Sequence, residues 1–282
     1  MISIVLALVC VMVVAPSNQN APSTLDASGS VTAAAPLQVS PDQDGTLETK
    51  ADFPDVDKPP TPPHTGWHAI LVGLEGDISH LPSATNLNLL GMGSALALGL
   101  HPLDHTVNAR LVSHYDLVNT FFAPAKYLGD TPEQLAFSIG TWAIGRRMHK
   151  PKMSHLGMDL LRAQALTEML VQPVKFATRR ERPDLSNRQS FPSGHAAVTF
   201  ATAAVIERHL GWRRSLVAYG IASYVAASRL HDNRHYLSDV VFGAAVGSIA
   251  GRTVTKHGRD IWTLTPAAVP GGMALNVTRR AL

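Results

Sequence analysis

A single cysteine, Cys10, stands in 282 residues, inside an apolar N-terminal run. One thiol cannot close an intrachain disulfide, and if the run is removed none remains, so stability rests on packing alone. Aromatic residues make up only 6% of the chain and charged residues 16%, with a formal net charge of +3. Lys and Arg are spread out except around Arg179 to Arg188 and at Arg213 to Arg214. There is no basic stripe with interleaved aromatics, which excludes a general nucleic-acid binder, while a local cluster of cations still suits one small anion. No apolar run reaches the ~20 residues of a bilayer span. The acidic residues show no metal-ligand spacing, so no metal site is expected.

What is present divides the chain. Ile4 to Ala15 is a short apolar stretch followed by Pro16 and Ser17. Its length suits a signal-peptide h-region, although no Lys or Arg precedes it, and it implies export to the periplasm or to a membrane. Residues 16–65, rich in Pro, Ser, Thr, Ala and Asp, have no periodicity that could bury a face and read as a disordered leader. Folded material is expected over 66–258. After a strand or loop in "WHAILVGLEGDISHLPS", apolar segments of helical length recur at Leu89 to Leu100, Glu133 to Met148, His155 to Thr178, His195 to Leu210, Arg213 to Leu230 and Leu237 to Val254. In the third, Leu166, Met169, Leu170 and Val174 share one face while Arg162, Glu168 and Gln172 point elsewhere. The fold class is all-α, a bundle of about six helices. The most apolar stretches, Leu216 to Ala227 and Val240 to Gly251, are short and read as buried centres of a soluble bundle; membrane insertion is the rival reading. The tail, 259–282, has β-leaning runs around Pro270, Gly271 and Gly272, either a hairpin or a flexible end.

Three motifs carry chemistry. In "KFATRRERP", Lys175 and Arg182 are seven positions apart, but Pro183 disfavours helical dihedrals at Arg182, so Lys175 ends a helix and Arg182 opens the next loop. By itself this reads first as a basic helix terminus complementing its own dipole. In "FPSGHAAVTF", Ser193 and Gly194 lead into a helix starting near His195, where free backbone N–H groups can hold an anion. By itself the motif is equally an ordinary N-cap at Ser193 with His195 as a first-turn residue. In "SRLHDNRHYLSDV", Ser228 and Arg229 end one helix, and His235 and Asp239 stand four apart at the start of another. That spacing puts the carboxylate where it can accept from one imidazole nitrogen and leave the other as a free lone pair.

Together the motifs, K-x6-R-P, P-S-G-H and S-R-x5-H-x3-D, resemble the three-part signature of the type 2 phosphatidic acid phosphatase superfamily, which includes bacterial non-specific acid phosphatases and vanadium-dependent haloperoxidases. The resemblance covers about Leu156 to Val254. It implies a helical bundle with active-site residues at helix ends. By the resemblance, Lys175, Arg182 and Arg229, with the Ser193 and Gly194 amides, hold the phosphoryl oxygens; His235 attacks phosphorus to give a phosphohistidine; Asp239 orients and stabilises that imidazole; and His195 protonates the leaving group and then activates water. No cofactor is implied, and vanadate could bind as a phosphate analogue.

The implied activity is a phosphomonoesterase acting on a lipid phosphate or a small phosphomonoester, either soluble or loosely membrane-associated. The alternatives are a vanadate-dependent haloperoxidase, an isoprenoid pyrophosphate phosphatase, or a phosphate-binding protein on a dead enzyme. His231, Asp232, Asn233 and Arg234 read as loop surface, Arg179 and Arg180 as solvated or flanking the pocket, and His101, His105, His114 and His155 as structural.

Overall fold

The computed structural model describes residues 62, 64–113, 115–256, 261–269 and 272–280. The signal-like run, most of the leader and His114 lie outside them. Among the described residues the helices are α1 (Trp67–His80), α2 (Ala84–Leu100), α3 (Asp104–Leu111), α4 (Asp116–Gly129), α5 (Thr131–Arg147), α6 (Pro151–Thr178), α7 (Gly194–Leu210), α8 (Trp212–His231) and α9 (Leu237–Val254). Strands β1 (Ile261–Val269) and β2 (Gly272–Arg280) pair antiparallel, Ile261 opposite Arg280.

The domain is all-α, with three helices beyond the six expected. Helix α1 occupies the stretch read as strand or loop. One of its two glycines serves close packing: a Cβ on Gly73 would lie 2.1 Å from Arg162 Nη1, whereas one on Gly76 would meet nothing within 4 Å. Helix α4 carries Pro124 in its interior, a residue that usually ends a helical pattern. Helix α3 is only 8 residues long, too short for its period to stand out.

The core forms where α6, α7, α8 and α9 meet. Leu160, Ala163 and Leu166 of α6 pack on Ala201 and Val205 of α7 and on Ala250 and Val254 of α9. On the other side Ala196, Phe200 and Ala203 of α7 meet Tyr219, Ala222 and Ala226 of α8 and Val240 and Ala244 of α9. Gly243, Gly247 and Gly251, each four residues apart, line the face of α9 that meets α7. A Cβ there would lie 2.4, 2.0 and 2.5 Å from the carbonyl oxygens of Ser193, Ala197 and Ala201. The two backbones therefore approach more closely than side chains would permit, and the start of α7 is held against the start of α9. The Ser193 N–H donates to the Asp239 carbonyl at 3.0 Å, joining the second motif to the third.

At the opposite ends of α6 and α7 lies a separate buried polar cluster. Arg162 Nη2 is 2.5 Å from Asp159 Oδ1 and donates to the Val254 carbonyl at 3.0 Å, while Asp77 of α1 lies 3.4 Å from Nη1. Asp159 Oδ2 is 2.8 Å from His209 Nε2 and 3.2 Å from His155 Nε2. Contrary to the reading that no acidic residue has metal-ligand spacing, these three donors are close enough to share a cation. The Arg162 guanidinium already occupies the other carboxylate oxygen.

The outer surface is unusually apolar. Leu117 on α4 is 82% exposed and Val217 on α8 is 69%, and Leu71, Leu98 and Phe121 are exposed as well. The stretch Leu216 to Ala227 is therefore not simply a buried centre. Tyr219, Ala222, Val225 and Ala226 face the core, while Leu216, Val217 and Ile221 face outward. One described helix, α9, is long and apolar enough to cross a membrane by length and composition, and most of it is buried.

Candidate active site

The three motifs arrive on different elements and meet at one end of the core. Helix α6 ends at Thr178, and Arg179 caps it in the left-handed conformation, φ 45°, turning the chain back on itself. Lys175 sits in the last turn, and Arg182 follows in the loop, as the Pro183 spacing predicts. Helix α7 begins at Gly194. A Cβ on that glycine would lie 3.3 Å from Lys175 Nζ, so the amine rests over the start of α7. As the first helical residue, Gly194 has one of the amides that a helix leaves without an internal partner. Arg229 ends α8 buried, its Nη2 2.6 Å from Asp232 Oδ2.

These cations are crowded and partly dehydrated. Burial, followed by Arg182, lowers the Lys175 pKa; burial, followed by Arg234, lowers that of Arg182; and burial lowers that of Arg229. An anion between them relieves both effects. The same field acts on His195: burial, then Arg229, His235, Lys175 and Arg182, push its pKa down to about 3. Among the described residues, three buried polar atoms without a hydrogen-bond partner belong to this site: Arg182 Nε, Ser193 Oγ and His195 Nε2. Buried polar groups are normally paired, so these are groups prepared for a ligand.

Two expected contacts are replaced by others. His235 precedes α9 rather than lying in its first turn, because the helix begins at Leu237 with Tyr236 as its N-cap. The i, i+4 geometry of a helix therefore does not apply, and His235 Nδ1 is 3.8 Å from Asp239 Oδ2, beyond hydrogen-bond reach. Instead, Nδ1–H donates to the Ser190 carbonyl at 2.7 Å. That bond fixes the tautomer and leaves Nε2 as the lone pair, and burial lowers the imidazole pKa so that it stays neutral. The second replacement concerns Ser193. Its amide is taken by the Asp239 carbonyl, so of the two backbone donors expected there, only that of Gly194 remains, beside the unpartnered Ser193 hydroxyl.

Asp239 is instead the hub of the surrounding network. It accepts from Ser190 Oγ at 2.5 Å, from the Tyr236 amide at 2.8 Å and from Arg180 Nη1 at 2.6 Å. Burial opposes its charge, but His235, the Ser190 hydroxyl and Arg180 hold its pKa below the usual carboxylate value. Arg180, read from sequence as solvated or flanking, is an internal bridge. Its Nη2 reaches Asp104 Oδ2 at 2.7 Å, and its guanidinium lies 4.2 Å from the Tyr236 ring centre. Nor is the spacer of the third motif simply loop surface. His231 is buried, 2.9 Å from Asn119 Oδ1 and stacked on Phe122, and Asp232 holds Arg229. Arg234, paired with Asp184 at 3.0 Å, and Asp232 are both exposed, as expected of a loop spacer.

Arg180, Ser190, Asp104 and Asp130 were not identified from sequence. Arg180 lay within a motif but was indistinguishable from Arg179 by composition. Asp130, whose Oδ1 is 2.8 Å from His195 Nε2, stands in "DTPE", a helix-start pattern that marks it as a cap and nothing more.

Helices converge on crowded cations and an oriented histidine, an arrangement with the charge to hold an oxyanion. Residues 156–261 match the PAP2 superfamily. The chain is 30% identical over 129 residues to the decaprenylphosphoryl-5-phosphoribose phosphatase of Mycobacterium tuberculosis, covering 43% of this chain and 68% of that one. It is 41% identical over 90 residues to the lipid A 1-phosphatase of Porphyromonas gingivalis, across 31% of this chain but only 20% of that longer protein. The fold is shared with the transmembrane PAP2-type phosphatidylglycerolphosphate phosphatase of Bacillus subtilis, with a TM-score of 0.51 and 22% identity over 60% of this chain and 93% of that one. The chain belongs to the PAP2 superfamily.

Proposed function

We propose that the protein is a phosphatase that hydrolyses a phosphate monoester carried on a lipid, through a phosphohistidine on His235. The observation that carries this reading is the His235 imidazole, neutral and locked through Nδ1–H on the Ser190 carbonyl, with its Nε2 lone pair left for attack. Lys175, Arg182, Arg229, the Gly194 amide and the Ser193 hydroxyl hold the phosphoryl oxygens, whose charge grows in the transition state. Because cations already supply that charge, no metal is needed for the step, and vanadate takes the phosphoryl place. Asp239 acts through the network it anchors and through its field on the phosphohistidine.

The lipid substrate is supported by relatives named for lipid A and for a decaprenyl-linked phosphate, and by the exposed apolar faces of α1, α2, α4 and α8. Those faces support association with a membrane, and the N-terminal run supports export. The test is to assay p-nitrophenyl phosphate and a long-chain alkyl phosphate in detergent micelles, with acid-labile phosphate on His235 sought by mass spectrometry after a base quench. We expect turnover of both and a phosphoenzyme lost in His235→Ala. Hydrolysis of the soluble substrate alone overturns the lipid assignment, and a phosphoenzyme that survives His235→Ala overturns the nucleophile.

A further inference from the structure

Asp130 is the N-cap residue of α5, yet its side chain makes no capping bond to that helix. A cap residue that forgoes the helix amides has found another partner. Oδ1 lies 2.8 Å from His195 Nε2, close but off the hydrogen-bond axis, so Nε2 stays free to address a ligand. Gly129 makes the approach possible: a Cβ there would fall 2.9 Å from His195 Cδ2 and 2.5 Å from Val225 Cγ1. The Asp130 side chain is 33% exposed and that of His195 24%, so the carboxyl touches both the pocket histidine and water.

We propose that Asp130 is the proton relay of His195, passing a proton from solvent to Nε2, from which the leaving oxygen takes it. The proposal rests on the phosphatase reading given above. In the first half-reaction His235 Nε2 bonds to phosphorus as the ester P–O bond breaks, and the proton on His195 Nε2 goes to the leaving oxygen. In the second, water gives a proton to Nε2, its oxygen bonds to phosphorus, and the P–N bond breaks. One water is consumed; as phosphate leaves, the proton that Nε2 took from water returns to solvent through Asp130, and the next substrate draws one back by the same path. A relay is needed because burial and the charges of Arg229, His235, Lys175 and Arg182 keep His195 unprotonated while the pocket is empty. Asp130 is suited to supply the proton. Burial, then Glu133, raise its pKa, against Arg229 and Lys126, so in the empty pocket Asp130 holds a proton more readily than His195 does. A bound phosphate dianion reverses the local field and draws the proton across.

The test compares kcat/KM on p-nitrophenyl phosphate, whose leaving group needs little protonation, with kcat/KM on an alkyl phosphate, whose leaving group needs much. Asp130→Asn is expected to lose at least ~30-fold on the alkyl ester and less than about threefold on the aryl ester, within the range for general acid catalysis. Asp130→Glu, which keeps a carboxyl, is expected to hold the wild-type ratio within roughly threefold. Equal losses on the two esters, a wild-type ratio in Asp130→Asn, or an Asn-like ratio in Asp130→Glu overturns the relay. A wild-type protein that hydrolyses neither ester instead refutes the phosphatase reading itself.

Discussion

His235 and Ser190 are joined by an imidazole N–H and a main-chain carbonyl 2.7 Å apart, and the carboxylate that sequence spacing assigned to this task lies 3.8 Å from the same nitrogen. Orientation of the proposed nucleophile is thus a property of the loop before the cis Phe191–Pro192 bond, and Asp239 secures that loop through the Ser190 hydroxyl. Asp239→Asn should therefore slow turnover without abolishing phosphoenzyme formation, whereas His235→Ala abolishes it. Ser190→Ala removes one charge-assisted hydrogen bond, worth ~1.5–3 kcal/mol, and should reduce kcat by about 10- to 100-fold with KM little changed. Rapid-quench measurement of the phosphoenzyme checks both, and an Asp239→Asn variant as silent as His235→Ala would show that the carboxylate itself holds the ring.

Arg180 is the only cation ion-paired to either Asp104 or Asp239 among the described residues. Its removal leaves two buried carboxylates uncompensated, and breaking such an arrangement is far more damaging than never building it. Arg180→Gln should lower stability by ~2–4 kcal/mol. The double variant with Asp104→Asn should recover part of that loss, because one of the stranded charges has gone. Urea denaturation of the wild type, both single variants and the double variant checks the coupling, and strict additivity would show that Arg180 and Asp104 act independently.

The glycine face of α9 sets the spacing on which the site depends. A methyl at Gly247 would sit 2.0 Å from the Ala197 carbonyl oxygen, with no flexible side chain to yield. Gly247→Ala should cost ~1–3 kcal/mol or more through overpacking, and should also reduce activity by parting Ser193 from Asp239. An alanine at Gly220, which has nothing within 4 Å, serves as the control and should leave activity unchanged.

These relationships explain what the sequence reveals and what it hides. Lys175, Arg182, Ser193, Gly194, His195, Arg229, His235 and Asp239 were legible because each belongs to a short motif whose spacing is set by a helix end. Ser190 contributes a carbonyl, which any residue has, so no side-chain pattern announces it. Asp104 meets Ser238 and Arg180 across 134 and 76 positions of chain, and nothing local points to either partner. Helices α1 and α4 were hidden for a related reason: their glycines and proline signal breaks locally, and only tertiary packing overrides them.

Vanadate should bind in the phosphoryl place and inhibit competitively. Lys175→Ala and Arg182→Ala should each weaken it, because each cation carries part of a charge that no metal shares in the proposed reaction. A chelator should leave both turnover and vanadate inhibition unchanged. Inhibition assays at fixed ionic strength check this, and activity that chelation removes and a divalent ion restores would require a different electrostatic account.

The low proton affinity of His195 links the site to stability. Its pKa is about 3 in the folded protein against an ordinary 6.5, so between these values the unfolded chain binds a proton that the folded one refuses. The stability this group contributes is complete above about pH 6.5 and is lost as pH falls toward 3, with a slope of at most ~1.4 kcal/mol per pH unit. His195→Gln has no such proton to take up. Its stability should therefore decline less steeply than that of the wild type over this window, with both proteins sharing every other titrating group. Saturating vanadate compensates the cations that depress His195, so it should flatten the wild-type curve and leave that of the Gln variant nearly parallel to its ligand-free course. Thermal melts from pH 6.5 downward, with and without vanadate, distinguish the outcomes, and parallel wild-type and Gln curves would show that burial and the charges of Arg229, His235, Lys175 and Arg182 do not hold His195 below its ordinary value.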